Sequence, residues 1–148
     1  MDRLGEDPPA QTKAGVADSA SAPIHAGSCH CGRVRFEVET EIENVRECNC
    51  SICIRRGGLM VRVPQDALRL LTPPEALTVY RWGTGTAADY FCSTCGILPF
   101  RQPSHPTAEE RARGVEPFSG WSVNVRCLEG LDLDALSRIH IDGRSFVI

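Results

Sequence analysis

The chain has 148 residues, which is near the usual size of one domain, and its 42% hydrophobic content is enough to form a core. Its formal net charge of −3 gives no electrostatic reason to expect binding to nucleic acid or to an anionic membrane surface. No apolar run reaches the length of about 20 residues that a transmembrane helix needs. Because no secretory signal is visible at the amino terminus, we expect a cytoplasmic protein.

The first segment, residues 1–24, is predicted to be a disordered tail, and residues 25–148 are predicted to form one domain. The tail is rich in Ala, Asp, Pro, Ser and Gly and has almost no large apolar side chains. Such a segment cannot bury enough surface to offset the conformational entropy that it would lose on ordering.

The domain opens with two closely spaced thiols, Cys29 and Cys31, and continues at residues 33–39 with apolar side chains that alternate with charged ones. This alternation predicts a half-buried strand. Residues two apart on extended backbone have side chains on the same side, so both thiols can face one metal ion. His30 would point the other way, and we do not expect it to be a ligand.

The run Cys48-x-Cys50-x-x-Cys53 carries three thiols within six residues. Such a run can wrap around one Zn²⁺, with each thiolate about 2.3 Å from the ion. The next cysteine downstream is Cys92, so the run itself contains no fourth ligand. Structural zinc sites have four protein ligands, whereas catalytic sites keep one coordination position open. The three cysteines are therefore predicted to form a catalytic zinc site.

Two arginines, Arg55 and Arg56, follow directly after this run. They could be solvated surface charges. Alternatively, they could offset the net negative charge of a zinc ion with three thiolates and bind a substrate carboxylate through paired hydrogen bonds. We take both as candidate substrate-binding residues, and both interpretations stay open.

The middle of the chain is predicted to form short strands and one helical turn, because β-branched and aromatic residues recur between turn signals. The strands are predicted at residues 59–63, 68–71, 78–82 and 87–91, and the helical turn at residues 65–68. The last two strands form a hairpin through a turn at residues 83–86. This hairpin ends at Cys92-x-x-Cys95, and the glycine that follows suits the tight turn of a zinc knuckle.

The chain has eight cysteines in all. Four of them are predicted to complete a structural zinc site: Cys29, Cys31, Cys92 and Cys95. A disulfide scaffold and a redox C-x-x-C pair are the alternatives. Metal is favoured over disulfides because closely spaced cysteine pairs in an intracellular protein usually bind metal. It is favoured over redox chemistry because a second cysteine pair lies upstream.

Residues 101–120 are predicted to be a long irregular loop, since they contain several prolines and charges. This loop could lie over the open zinc site, with His105 as either an acid–base residue or a histidine in water. The remaining elements are predicted strands at 121–127 and 138–141 and a short helical or turn element at 131–136. Cys127 shares a strand face with Val123 and Val125, so it is expected to be a small core hydrophobe.

Three motifs resemble the signatures of one enzyme family: GSCHCG at residues 27–32, CNCSIC at residues 48–53 and FCSTCG at residues 91–96. On these motifs the chain is similar to the glutathione-dependent formaldehyde-activating enzymes, a family that also includes centromere protein V. The resemblance covers about residues 25–148. It implies a mainly β fold, the Mss4-like β-tent of twisted antiparallel sheets stapled by zinc. It also implies one structural and one catalytic zinc ion.

The activity that this resemblance implies is that of a carbon–sulfur lyase or synthase acting on a thiol adduct. Glutathione would be the co-substrate and would combine with formaldehyde to give S-(hydroxymethyl)glutathione. Two other classes stay open: a zinc-stabilised binding module without catalysis, and a thiol redox enzyme that uses Cys127 or a C-x-x-C pair. A fourth protein ligand at the three-thiol site would indicate the binding module, and a buried, unperturbed Cys127 would argue against the redox enzyme.

Overall fold

The structure of the protein is a computed structural model, in which residues 22–82 and 85–145 are described. Residues 1–21 of the predicted tail and residues 83 and 84 of the predicted turn lie outside the described part of the chain. In that part the α-helices are short: α1 spans Ser51–Arg56 and α2 spans Ala108–Ala112. No helix there is long and apolar enough to cross a membrane.

Strands make up most of the regular structure of the described residues, as the sequence predicted. They are β1 Ile24–Ser28, β2 Arg35–Glu39, β3 Val45–Cys48, β4 Met60–Val63, β5 Leu68–Leu70, β6 Leu77–Tyr80, β7 Ala88–Cys92, β8 Phe100–Gln102, β9 Trp121–Asn124 and β10 Arg138–Ile141. Short 3₁₀ turns lie at Gln65–Ala67, Pro74–Ala76, Val125–Cys127, Leu133–Ala135 and Gly143–Ser145.

The strands form two sheets. The smaller sheet has the order β1-β2-β5, and the larger has the order β10-β3-β4-β9-β8-β7-β6. Neighbouring strands are antiparallel throughout, except that β10 lies parallel to β3 at the edge of the larger sheet. The prediction of a mainly β fold is therefore confirmed. Among the described strands, the parallel pair of β3 and β10 departs from the predicted antiparallel sheets.

The larger cluster of buried apolar residues joins the two sheets. Phe36 and Val38 on β2 are buried, which confirms the alternation predicted for this strand. Their partners come from the larger sheet: the rings of Phe36 and of Phe100 on β8 pack in a T-shaped pair, with centroids 5.3 Å apart. Burial of such apolar side chains is the main favourable contribution to folding in a domain of this size.

The larger sheet has one apolar and one polar face at its centre. Its apolar face packs on the core through a row of cross-strand partners, Val61, Val123 and Phe100. Successive residues of a strand point to opposite faces, so the neighbouring row points away from the core. This second row consists of Arg62, Ser122 and Arg101. The polar face of the sheet forms part of the candidate site.

The prediction of an irregular segment at residues 101–120 is wrong in part, because helix α2 lies within it. The helix begins with a capping box, in which the Thr107 side chain accepts a hydrogen bond of 3.1 Å from the Glu110 N–H. In return, the Glu110 side chain accepts a hydrogen bond of 2.8 Å from the Thr107 N–H. The spacing Thr-x-x-Glu is a sequence signature of this cap, so the helix could have been predicted from the sequence.

The predicted strand at residues 121–127 is shorter than expected. It ends at Asn124, whose side-chain oxygen accepts a hydrogen bond of 3.1 Å from the Arg126 N–H and starts a 3₁₀ turn. Asn at this position competes with the strand ladder by bonding its own neighbouring backbone. Cys127 is half-buried and packs against the core, as predicted.

Candidate metal centres and the adjoining cavity

The first cluster of thiols unites the two cysteine pairs that the sequence predicted to form one site. Its members are Cys29, Cys31, Cys92 and Cys95, whose Sγ atoms all lie within 4.8 Å of one another. Cys29 and Cys31 lie in the turn between β1 and β2, and not on extended backbone as expected, because β2 begins only at Arg35. The turn nevertheless directs both thiols to the same point.

The spacing of these sulfur atoms fits a tetrahedral metal ion. Cys29 Sγ and Cys31 Sγ are 3.7 Å apart, as are Cys31 Sγ and Cys92 Sγ. A tetrahedral ion with metal–sulfur distances of about 2.3 Å would separate its sulfur ligands by about 3.8 Å. The Cys95 N–H donates to Cys92 Sγ at 3.4 Å, and Gly96 has a φ of 81°, which the tight knuckle turn requires. This four-thiol cluster could therefore hold a metal ion.

The second cluster consists of Cys48, Cys50 and Cys53, whose Sγ atoms also lie within 4.8 Å of one another. Cys48 ends β3, Cys50 caps the amino terminus of α1, and Cys53 lies within that helix. The sequence predicted that these thiols converge. It did not indicate the helix that brings them together, which has only six residues and no side-chain hydrogen bond at its cap.

Because these thiols lie so close together, the pKa values of Cys48 and Cys53 shift in opposite directions. Hydrogen bonding from the Cys53 thiol, aided by the backbone of Cys50 and Gly143, outweighs burial and lowers the pKa of Cys48 to about 5. The same hydrogen bond to Cys48, followed by burial, raises the pKa of Cys53 well above its ordinary value. Thiols this close cannot all ionise unless a cation neutralises them. The three-thiol cluster therefore also fits a metal ion.

Within residues 22–82 and 85–145, no Cys, His, Asp or Glu joins the three-thiol cluster as a fourth ligand. All three of its cysteines instead line a cavity with a volume of about 240 Å³. These three thiols would therefore hold a metal ion at the wall of the cavity, one protein ligand short of a closed structural site. All eight cysteines of the chain are free thiols, which contradicts the disulfide alternative.

Four arginines line the same cavity: Arg46, Arg56, Arg62 and Arg101. Arg62 and Arg101 are both cross-strand partners of Ser122, so the polar face of the larger sheet forms one wall. Arg62 is exposed as a whole, but desolvation by its surroundings, together with the charges of Arg46 and Arg101, lowers its pKa to about 10. Crowded cations of this kind create a positive potential that attracts an anion.

The main counter-charge to these arginines is Asp89 on β7, whose side chain is 1% exposed. It accepts hydrogen bonds from Arg56 Nη2 at 2.6 Å, Arg101 Nε at 2.5 Å and Trp82 Nε1 at 2.9 Å. Burial alone would raise the pKa of Asp89, but the two guanidinium groups outweigh it and hold the pKa below its usual range. The sequence reasoning missed this residue, although a lone carboxylate in an otherwise apolar strand was a visible signal.

The three cysteine motifs match a known family. A sequence model of the glutathione-dependent formaldehyde-activating enzyme family matches residues 24–116, which include all seven clustered cysteines. The chain belongs to this family. It is also similar to a Rhodobacter sphaeroides protein of known crystal structure, with 35% sequence identity and a TM-score of 0.61. That match covers 77% of this chain and 99% of the other.

In this member of the formaldehyde-activating enzyme family, the two predicted substrate-binding arginines have different surroundings. Arg56 lines the cavity beside the three thiols. The Arg55 side chain is exposed, lies outside the set of residues that line the cavity, and donates a hydrogen bond of 2.8 Å to the Ser51 carbonyl oxygen. The assignment of both residues to substrate binding stays a prediction. Arg46, Arg62 and Arg101 were not predicted from the sequence.

Segment 101–120 lies beside the three-thiol cluster, as the sequence suggested. Its contributions to the cavity wall are Pro103, Ser104, Glu110 and Val115, in addition to Arg101. His105 is exposed and outside the cavity, and its backbone N–H donates to Thr86 Oγ1 at 2.9 Å. Among the described residues that line the cavity, His105 is therefore not included.

The part of the chain that matches the family model ends at residue 116, but the cavity extends beyond it. Ser122 on β9, Ile141 on β10 and Gly143 in the following turn also line the cavity. In this member of the family, the carboxyl-terminal strands therefore complete the wall around the three-thiol cluster.

Proposed function

We propose that this protein is a zinc-dependent carbon–sulfur lyase or synthase that acts on the adduct of a small acidic thiol and an aldehyde. Glutathione and formaldehyde are the pair that the family's description names. One observation carries the proposal: three thiols, with no fourth protein ligand among the described residues, line a cavity together with four arginines. A metal ion and a negatively charged thiol could therefore meet there.

The two clusters would hold zinc ions with different roles. Ligand sets made only of thiolates suit Zn²⁺, and the sulfur spacing of the four-thiol cluster fits its tetrahedral geometry. There the ion would contribute directly to the stability of the fold. At the three-thiol cluster, a bound zinc ion would supply a Lewis acid that favours the thiolate form of a substrate thiol and polarises an aldehyde oxygen.

The arginines would bind the carboxylates of the thiol substrate. Glutathione carries a carboxylate at each end, and a planar guanidinium group meets a carboxylate in two parallel hydrogen bonds. Asp89 holds Arg56 and Arg101 in place, whereas Arg46 and Arg62 form no ion pair within the described residues. The latter two are therefore the guanidinium groups best placed to receive a substrate carboxylate.

The reaction itself needs no oxidant or reductant. The substrate sulfur forms a bond to the aldehyde carbon, the carbon–oxygen π electrons move onto the oxygen, and the thiol proton ends on that oxygen. By fixing the carboxylates, the arginines would orient the sulfur towards the aldehyde. We assign the proton transfer to water. The only carboxylate among the described cavity residues, that of Glu110, already accepts a hydrogen bond in the cap of α2.

The two alternative functions are less well supported. A binding module predicts a fourth protein ligand at the second cluster, and none is present among the described residues. A redox enzyme that uses Cys127 requires an accessible thiol of lowered pKa. Cys127 is half-buried, and burial, with the neighbouring charges of Cys29 and Cys95, raises its pKa to about 11.

The proposal is tested by measuring how fast glutathione and ¹³C-labelled formaldehyde exchange with their adduct, using NMR exchange spectroscopy. The zinc-loaded protein is expected to accelerate the exchange above the rate in buffer. Cys50→Ser is the control, since it removes one ligand of the three-thiol cluster. Exchange at the buffer rate with the wild-type protein would contradict the proposed activity.

A further inference from the structure

The carboxyl-terminal strand and the turn after it pack directly on the three-thiol cluster. Strand β10 lies parallel to β3, in a register that places Ile141 beside Cys48. The chain then continues through Asp142 into the 3₁₀ turn Gly143–Ser145. We call residues 141–145 the terminal clamp. It lies outside the region that matches the family model, which ends at residue 116.

Asn49, the residue between two of the three thiols, bonds the terminal clamp with three groups. Its backbone N–H donates to the Ile141 carbonyl oxygen at 3.1 Å. Its side-chain Nδ2 donates to Asp142 Oδ1 at 3.0 Å, and its Oδ1 accepts from the Arg144 N–H at 2.9 Å. Both ends of the amide are therefore used. An aspartate of the same size would place a carboxylate against Asp142.

Gly143 lies against the thiols themselves. A Cβ atom added at this position would lie 2.6 Å from Cys48 Sγ and 2.9 Å from the Cβ atom of Cys50. The backbone of Gly143 is not in the left-handed region, so the requirement for glycine here is one of space. Any larger residue must push the clamp or the thiols away from their present positions.

We propose that Asn49 and Gly143 are positioning residues, through which the terminal clamp holds Cys48 and Cys50 in the geometry that binds the metal ion. The proposal rests on the metal site of the proposed function and not on the identity of its substrate. Contacts that orient metal ligands typically affect metal affinity by about 10–100-fold. Loosening the clamp is therefore expected to weaken metal binding at the three-thiol cluster and to leave the four-thiol cluster unchanged.

The first test exchanges the donor and the acceptor between Asn49 and Asp142. Asn49→Asp should weaken zinc binding at the three-thiol cluster by about 10–100-fold, because two carboxylates then face each other. The double variant Asn49→Asp, Asp142→Asn keeps the net charge of the wild type and restores one donor opposite one acceptor. It should recover most of the affinity. Competition with a chelator of known affinity measures both zinc ions without any substrate.

The second test substitutes the close contact. Gly143→Ala should release zinc from the three-thiol cluster faster than the wild type. Arg144→Ala is the matched control, because Arg144 bonds Asn49 through its backbone and not through its side chain. If Gly143→Ala does not fold, the exchange between positions 49 and 142 still tests the proposal.

Three results would overturn the proposal. The first is that Asn49→Asp binds zinc at the three-thiol cluster as tightly as the wild type. The second is that the double variant binds this zinc ion no more tightly than Asn49→Asp alone. The third is equal loss of both zinc ions together with a lower melting temperature, which would assign these contacts to folding alone. Absence of the proposed enzyme activity would not produce any of these results, because zinc binding is measured by itself.

Discussion

Arg56 Nη2 lies 2.6 Å from Asp89 Oδ2, and this ion pair connects the two clusters of thiols. Arg56 ends helix α1, which carries Cys53 of the three-thiol cluster, whereas β7 carries Asp89 and ends at Cys92 of the four-thiol cluster. The two side chains are only 16% and 1% exposed. The pair therefore links the helix of the three-thiol cluster to strand β7, which a metal ion in the four-thiol cluster would stabilise.

Asp89→Ala is expected to lower the free energy of unfolding by about 3–5 kcal/mol, because it leaves buried guanidinium groups without their counter-charge. Urea unfolding of the zinc-loaded protein measures this loss. The matched control is Glu37→Ala, which removes an exposed pair with Arg69 at 3.3 Å and should cost less than about 1 kcal/mol. Equally small losses for both variants would show that Asp89 does not have this structural role.

Arg62→Ala is expected to weaken the binding of glutathione by about 1.5–3 kcal/mol, the range for a hydrogen bond to a charged group. Binding of 2-mercaptoethanol, which has no carboxylate, should not change. Arg62 forms no ion pair within the described residues and stacks on the Phe118 ring at 4.8 Å, so its removal leaves no carboxylate unpaired. Calorimetry with both thiols makes the comparison.

Arg55→Ala provides the comparison, because Arg55 is the other candidate for carboxylate binding but its side chain is exposed and lies outside the set of described residues that line the cavity. If Arg62→Ala weakens the binding of glutathione and of 2-mercaptoethanol to the same extent, the substitution has damaged the metal site and has not removed a carboxylate contact. If Arg55→Ala weakens glutathione binding as much as Arg62→Ala does, glutathione binds at the exposed side of helix α1 and not in the cavity.

The two clusters are expected to differ in their contribution to stability. Cys92→Ser and Cys50→Ser each replace one buried cysteine with a side chain of similar size. Cys92→Ser should cause the larger fall in melting temperature, because a closed four-ligand zinc site contributes its binding free energy to folding. Calorimetric melting of both variants provides the comparison. Equal falls would refute the division into a structural and an open site.

The clusters could be predicted from the sequence because the information that defines them is local. The three thiols of Cys48-x-Cys50-x-x-Cys53 lie so close in sequence that a short local bend, here the start of helix α1, can bring them together. Predicting the four-thiol cluster needed one further inference, that the pair Cys29 and Cys31 and the pair Cys92 and Cys95 bind the same metal ion. The alternation at residues 33–39 likewise predicts a strand without knowledge of its neighbours.

The arginine-lined wall could not be predicted, because strand pairing alone brings it together. Arg62 and Arg101 lie far apart in sequence on β4 and β8, and they meet only because both strands flank β9 at Ser122. The terminal clamp depends in the same way on the parallel pairing of β10 with β3. A sequence shows which residues alternate along a strand. It does not show which strands become neighbours.

The number of zinc ions per chain shows whether Cys48, Cys50 and Cys53 hold an accessible zinc ion. The protein is loaded with excess zinc, freed of unbound metal by gel filtration and measured by elemental analysis before and after exposure to a mild chelator. We expect two zinc ions per chain in the wild type, falling to one after chelation, and one from the start in Cys50→Ser. A wild type that holds only one ion after loading, or a Cys50→Ser variant that keeps two, would contradict this expectation.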